Sequence, residues 1–294
     1  LGLECREKRR GTAKGPEAFG SAGLGVSSLA SADVVVIGGG STGTSVAFQL
    51  ARRKFGKVLL IERDSIGAGP TSRSIGIIRL HYTYEPLIRL AQRSLELFTR
   101  FTELTGAACD FTRCGFLLLA APQQLDGLRA NVDLQRRMGV NTSVLTPRDL
   151  TGLDTRMNLD DVAGGAFEPD SGFADGYATA AGFAAGALRE GAEIWEATAV
   201  ERILADGSRV RGVRTSRGEV SAPVVLVAAG PWTARLTRPL GVDVPIQSSR
   251  QQVVHLAPPA SFEQLRQRAR TLALEPASER RKLQLPQAIA QLTY

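Results

Sequence analysis

From Asp33 to Gly40 the chain reads DVVVIGGG, an apolar, β-branched run that stops at a burst of glycine. That is the pattern of a short strand buried on both faces. From Thr42 to Lys54 the period changes, with Val46, Ala47, Leu50 and Ala51 recurring on one helical face. KVLLIER, starting at Lys57, predicts a second buried strand. The three segments together make a β-α-β unit of about 30 residues.

A stretch rich in Gly, Pro, Thr and Ser follows, after which SIGIIRLHY, Ser74 to Tyr82, alternates as a strand does. Pro86 to Leu104 predicts an amphipathic helix, with Leu87, Leu90, Ala91, Leu95, Phe98 and Phe101 inward and Pro86 in the first turn. GFLLLA, Gly115 to Ala120, predicts a strand and Gln123 to Met138 a helix, and both leave the dinucleotide unit for a second domain. PDSGFADGYATAAGFAAGALREG predicts a turn and a small-residue helix that packs through Tyr177, Ala180, Phe183, Ala184 and Ala187. AEIWEA, VERILA, RVRGVRT and VVLVAAG then predict short strands, with ADGS as a hairpin turn. No internal repeat or heptad interrupts this α/β pattern.

The 294 residues allow one large domain or two ordinary ones, and 43% hydrophobic content fits a globular core. Glycine, at 31 residues, exceeds the roughly 7% usual in proteins and implies many tight turns. The net charge of +7 is concentrated at the ends: residues 1–30 carry five Lys/Arg against three Glu, and residues 258–294 carry six against three. A middle of only +2 offers no nucleic-acid face. Cys5, Cys109 and Cys114 have neither disulfide nor zinc spacing, so no metal site is expected. They imply a reducing compartment, the cytoplasm or alternatively the mitochondrial matrix. No apolar run reaches the roughly 18 residues of a membrane span. Residues 1–30 show no periodicity and are read as a disordered extension, its Glu4, Glu7 and Glu17 arguing against a transit peptide.

Gly38, Gly40 and Gly43 form G-x-G-x-x-G between the predicted strand and helix. There Gly38 permits the sharp turn, Gly40 the approach of a pyrophosphate, and Gly43 close packing of helix on strand. Ser41 and Thr42 open the helix, whose unpaired N–H groups attract phosphate. Glu62 lies 19 residues beyond Gly43, at the end of the second strand, where its carboxylate can accept from ribose hydroxyls. A nicotinamide dehydrogenase would continue with another crossover helix. This chain instead gives Arg63 and then Gly67, Gly69, Thr71, Ser72, Arg73, Ser74 and Gly76, backbone and hydroxyls suited to lie along a longer cofactor. The cofactor inferred is FAD.

The pieces VVVIGGGSTGTSVAFQLAR, VLLIERDSIGAGPTSRSIGIIR, GFLLLA with the following LRANVDLQRRMGV, DSGFADGYATAAGFAAGA and PVVLVAAGPW span roughly residues 32–257. In these pieces the chain resembles the FAD-dependent oxidoreductases of the D-amino acid oxidase family, especially the glycine oxidase and sarcosine oxidase branch. The resemblance implies a discontinuous Rossmann-like FAD-binding domain, residues 31–108 and 168–238. It further implies a second, mainly antiparallel α+β substrate domain, residues 109–167 and 239–257. By the same resemblance Val200 meets the adenine, Ala229 and Gly230 pass the pyrophosphate and ribose, and Arg79 holds a substrate carboxylate near Tyr82. The alternative for Arg79 is an ordinary surface salt bridge and for Tyr82 a core aromatic; His81 either faces the flavin or is a structural histidine.

The reaction implied is oxidation of a C–N bond in a small amino acid or secondary amine by hydride transfer to flavin. A covalent flavin link is not expected, because Arg73 stands where some relatives carry histidine. The atypical tail, residues 258–294, departs from the family pattern: it lacks the glycine-rich turn and helix, and no motif surrounds Lys282. Three readings therefore stand together: an amine or amino-acid oxidoreductase, a 2-hydroxy-acid or glycerol-3-phosphate-type FAD dehydrogenase, and a truncated non-catalytic FAD-binding protein. An oligomer or a partner subunit is compatible with each.

Overall fold

The computed structural model describes residues 30–155 and 157–249. Cys5, Lys282, the extension up to residue 29, residues 250–257 and the tail lie outside the described residues. In chain order the elements are β1 (Ala30–Ser31), β2 (Val34–Ile37), α1 (Ser41–Arg52), β3 (Val58–Ile61), β4 (Ile77–Ile78), α2 (Glu85–Thr99) and α3 (Phe101–Thr105). Next come β5 (Thr112–Arg113), β6 (Phe116–Ala120), α4 (Leu125–Arg137), β7 (Ser143–Leu145), α5 (Pro147–Leu153), β8 (Gly164–Glu168) and β9 (Gly172–Phe173). The last are α6 (Gly176–Arg189), β10 (Glu193–Trp195), β11 (Val200–Asp206), β12 (Arg209–Thr215), β13 (Gly218–Ser221), β14 (Val224–Val227) and α7 (Thr233–Thr237).

The continuous apolar runs form a four-stranded parallel sheet in the order β10-β3-β2-β14. Every residue of β2 and β3 is buried, as two covered faces require. On one face Val34, Val36, Val58 and Leu60 meet α1 and α6. On the other, Val35, Ile37, Leu59 and Ile61 meet Ile203, Val213 and Val220 of the sheet β1-β13-β12-β11. β1 pairs in parallel with β13, Ala30 opposite Val220, so Ala30 is strand and not part of the extension.

Helices α1 and α6 approach closely because α6 is made of small residues. A Cβ at Gly186 would lie 2.9 Å from the Phe48 ring, and one at Gly182 would lie 2.5 Å from that of Phe101. The buried face of α1 is Gly43, Thr44, Ala47, Phe48 and Ala51. Val46 and Leu50, expected on that face, are only half-buried, packed against the same cluster.

The remaining elements make two antiparallel sheets, β4-β9-β5 and β6-β8-β7, the second carrying α4 on Ala120, Leu128, Val132 and Ala166. Four expectations need correction here. The single helix to Leu104 divides at Arg100, whose φ of −108° and ψ of 19° leave the helical region. Leu90 is 64% exposed, while Ile88 takes the core position with Leu80 and Val140. SIGIIRLHY contributes only Ile77–Ile78 as strand, because Leu80 N–H is taken by the Glu168 carboxylate and not by a neighbouring strand. Tyr177 is exposed as well, at the outer side of the first turn of α6 against the loop at Gly67, whereas Ala180, Phe183, Ala184 and Ala187 are buried as expected.

Phe48 is fully buried and contacts Phe183 with ring centroids 5.8 Å apart. Phe48→Ala is expected to cost about 3–5 kcal/mol of stability, measured as a lowered midpoint of urea unfolding with little change in slope.

Candidate functional site

β2 is the central point of the parallel sheet: the chain passes from it to β3 on one side, and β14 returns on the other. In open α/β sheets, ligands bind where the strand order reverses in this way, outside the carboxyl ends. A cleft of about 820 Å³ lies there, within the size range of small-molecule and cofactor sites.

Glycine allows the cleft to form. Gly38 has φ +108°, and a Cβ on it would stand 2.4 Å from the Ala228 carbonyl oxygen. Gly38 N–H donates to Ile61 O at 2.9 Å and Ala228 N–H to Ile37 O at 2.8 Å, which ties the three strand ends together. A Cβ on Gly43 would lie 1.9 Å from Gly38 O, so Gly43 serves the packing of helix on loop. Gly40 caps α1 without a side chain to accept its first amides. Thr71 Oγ1 accepts from Ser41 N–H at 3.1 Å, and the positive end of the helix faces the cleft.

Glu62 closes the loop from the β3 side. Its Oε2 accepts from Gly39 N–H at 2.6 Å and its Oε1 from Asp64 N–H at 3.0 Å. Each oxygen retains further acceptor capacity toward the cleft. The Arg63 guanidinium lies 4.1 Å from the ring centre of Trp232, whose backbone follows β14. The two side chains thus join opposite walls, and both line the cleft.

The cleft brings together Gly38, Gly40, Ser41, Thr42, Glu62, Arg63, Thr71, Val200, Ala229 and Gly230. It does not bring in Ser72, Arg73, Ser74 or Gly76. Gly76 is instead packed on β9: its φ is +66°, a Cβ would lie 1.9 Å from Ala174 O, and its amide donates to Ser74 Oγ. Trp232 is a cleft residue to which the sequence reading gave no role, though GPW directly after an apolar strand marks its place.

Arg79, His81 and Tyr82 form a second cluster, none of them lining the cleft. Arg79 is exposed, its guanidinium 5.5 Å from the Tyr82 ring and 5.6 Å from that of Phe116, and it forms no ion pair among the described residues. Tyr82 packs beside Leu80, Ile88 and Val140. His81 is buried, with Nδ1 3.5 Å from Oε1 of the fully buried Glu168. Glu168 Oε2 accepts from Leu80 N–H at 2.9 Å and from the Ser171 hydroxyl at 2.8 Å. No local pattern announces Glu168, because its burial depends on pairing between distant strands. Burial pushes the thiols of Cys109 and Cys114 up from their ordinary range. No helix among the described residues is long and apolar enough to cross a membrane.

Sheet, crevice and glycine loop define a dinucleotide-binding α/β protein. A family model described as "FAD dependent oxidoreductase" matches residues 33–281, and the chain belongs to that family, whose cofactor is FAD. It is 32% identical over 217 residues to 4-methylaminobutanoate oxidase (formaldehyde-forming) of Paenarthrobacter nicotinovorans, covering 73% of this chain and 26% of that protein. It is 31% identical over 222 residues to the mitochondrial sarcosine dehydrogenase of Mus musculus, covering 73% and 24%. Among solved structures, L-proline dehydrogenase from P. horikoshii matches with a TM-score of 0.69 and 29% identity over 74% of this chain and 58% of that one. The chain thus spans about a quarter of the length of these curated relatives.

Gly39 is buried, so removing its acceptor should be costly. Glu62→Ala is expected to lower stability by about 1–3 kcal/mol, whereas Glu62→Gln, which keeps an acceptor, should lose much less; chemical denaturation of the flavin-free chain measures both.

Proposed function

We propose that the chain carries FAD in the cleft at β2 and oxidises the C–N bond of a small amino acid or secondary amine. The observation that carries this reading is the meeting, in one crevice, of the α1 N-terminus, the side-chain-free loop Gly38–Gly40 and the Glu62 carboxylate. The donor set fits the cofactor: main-chain amides for a diphosphate, and a carboxylate with spare lone pairs for ribose hydroxyls. Val200 and the Arg63–Trp232 pair would flank the adenine end, with Thr71, Ala229 and Gly230 along the diphosphate and ribose. Within this reading residues 31–108 and 168–238 make the FAD-binding domain, which accords with the central sheet and its two covering layers drawing their strands from those segments. Residues 109–167 and 239–257 belong to the substrate domain.

The chemistry that FAD would supply when bound is acceptance of a hydride from the carbon next to the substrate's neutral nitrogen, and water would hydrolyse the resulting imine. The protein's work is then orientation and exclusion of water. Arg79, whose guanidinium meets no carboxylate among the described residues, would pair with the substrate carboxylate, the rings of Tyr82 and Phe116 holding it flat. His81, enclosed beside Glu168, takes no part in the chemical step. Free Cys109 and Cys114 accord with a reducing compartment, cytoplasm or mitochondrial matrix.

The purified chain should be yellow and should release FAD on denaturation; a colourless protein that binds no added FAD overturns the reading. Anaerobic addition of sarcosine or glycine should bleach the flavin. Bleaching by 2-hydroxyglutarate or glycerol 3-phosphate alone would assign a hydroxy-acid or polyol dehydrogenase, and colour that no substrate bleaches would assign a binding protein. Arg79→Gln should raise the KM for the amino acid by about 10- to 100-fold with FAD retained, as loss of a charge-assisted contact predicts.

A further inference from the structure

We propose that Glu168 is the positioning residue that aims Arg79, so that a buried carboxylate outside the cofactor cleft sets the affinity for the substrate's carboxylate. The inference rests on the proposed carboxylate-binding role of Arg79. Three independent contacts converge on Glu168. Its Oε2 accepts from the amide of Leu80, the residue directly after Arg79. Across the β6–β8 ladder it stands opposite Phe116, one of the two rings that flank the Arg79 guanidinium. Its Oε1 lies 3.5 Å from Nδ1 of His81, the residue directly before Tyr82, which supplies the other ring.

The segment that carries Arg79 lies between regular elements, held besides by the buried Leu80 side chain and by Gln135 Nε2, which donates to Tyr82 O at 2.9 Å. β4 is two residues long and ends at Ile78, and α2 starts only at Glu85. Glu168 is itself held rigidly: it is fully buried, its side chain accepts from the buried Ser171 hydroxyl, and its carbonyl accepts from Ser171 N–H. The turn at Ser171 in turn takes Gly115 N–H, next to Phe116, at 2.8 Å. An exposed arginine with free rotamers loses side-chain entropy when it binds an anion, and a fixed backbone with two flanking rings reduces that loss. One buried carboxylate therefore links the backbone behind Arg79 to both surfaces on which its guanidinium rests. Because both hydrogen bonds reach the same oxygen, glutamine can reproduce them while removing the charge.

The test uses the full chain with FAD, and acetate as the probe. Binding is read from the shift in flavin absorption and by calorimetry, and the KM and kcat for the amino acid that bleaches the flavin are measured alongside. Glu168→Ala and Glu168→Asp, the latter withdrawing the carboxylate from Leu80, should each weaken acetate about tenfold, the scale of one lost hydrogen bond to a charged group. KM should rise similarly while kcat and FAD content stay near those of the unmodified chain. Glu168→Gln should restore binding to within about threefold, and adding Glu168→Ala to Arg79→Gln should weaken acetate no further. If the alanine variant does not fold, the aspartate variant decides. If Arg79→Gln leaves acetate binding unchanged, the carboxylate role of Arg79 fails and the inference with it. If Arg79→Gln weakens acetate while both Glu168 variants do not, or if the two effects add, Arg79 keeps its role and the positioning role of Glu168 is overturned.

Discussion

The cleft depends on one close approach of backbone to backbone. Where β2 ends, the loop passes so near the Ala228 carbonyl and the start of α1 that a single methyl at Gly38 or Gly43 would occupy space already filled by main-chain oxygen. From that approach follow the meeting of three strand ends, the direction of the α1 dipole and the reach of Glu62 to Gly39 N–H. The loop must pack tightly below for its amides to be free above. Binding capacity and fold stability are therefore coupled at the same few residues.

Local sequence revealed this part well, because each of its signals is a short-range consequence of burial. A strand covered on both faces must be apolar throughout, as VVVI and VLLI are. A glycine forced to positive φ tolerates no side chain, as at Gly38. The same logic reached Glu62, at a fixed distance along a β-α-β unit. It was less reliable where two meanings share one residue type. Gly76 has the small size that suits a cofactor's passage, yet its positive φ and the carbonyl of Ala174 show that it serves strand packing.

Long-range pairing limited the rest. Periodicity placed Leu90 inward because it could not register that Ile88 faces the Leu80 and Val140 cluster. Nothing local in FEPDSG distinguishes a solvated Glu168 from one buried between a histidine, a hydroxyl and the amide of Leu80, 88 residues earlier in the chain. Likewise Trp232 gained meaning only when β14 set it against Arg63.

The connectivity of the central sheet also sets an order of events at the ribosome. β2 and β3 emerge first, whereas β14, which supplies the far wall of the crevice, lies some 190 residues after β2 in the chain. Until Val224–Val227 have left the exit tunnel, one edge of β2 remains unpaired and apolar, a surface open to misassociation. The crevice is thus completed only once that strand has emerged, and a nascent chain halted before it exposes the apolar edge of β2.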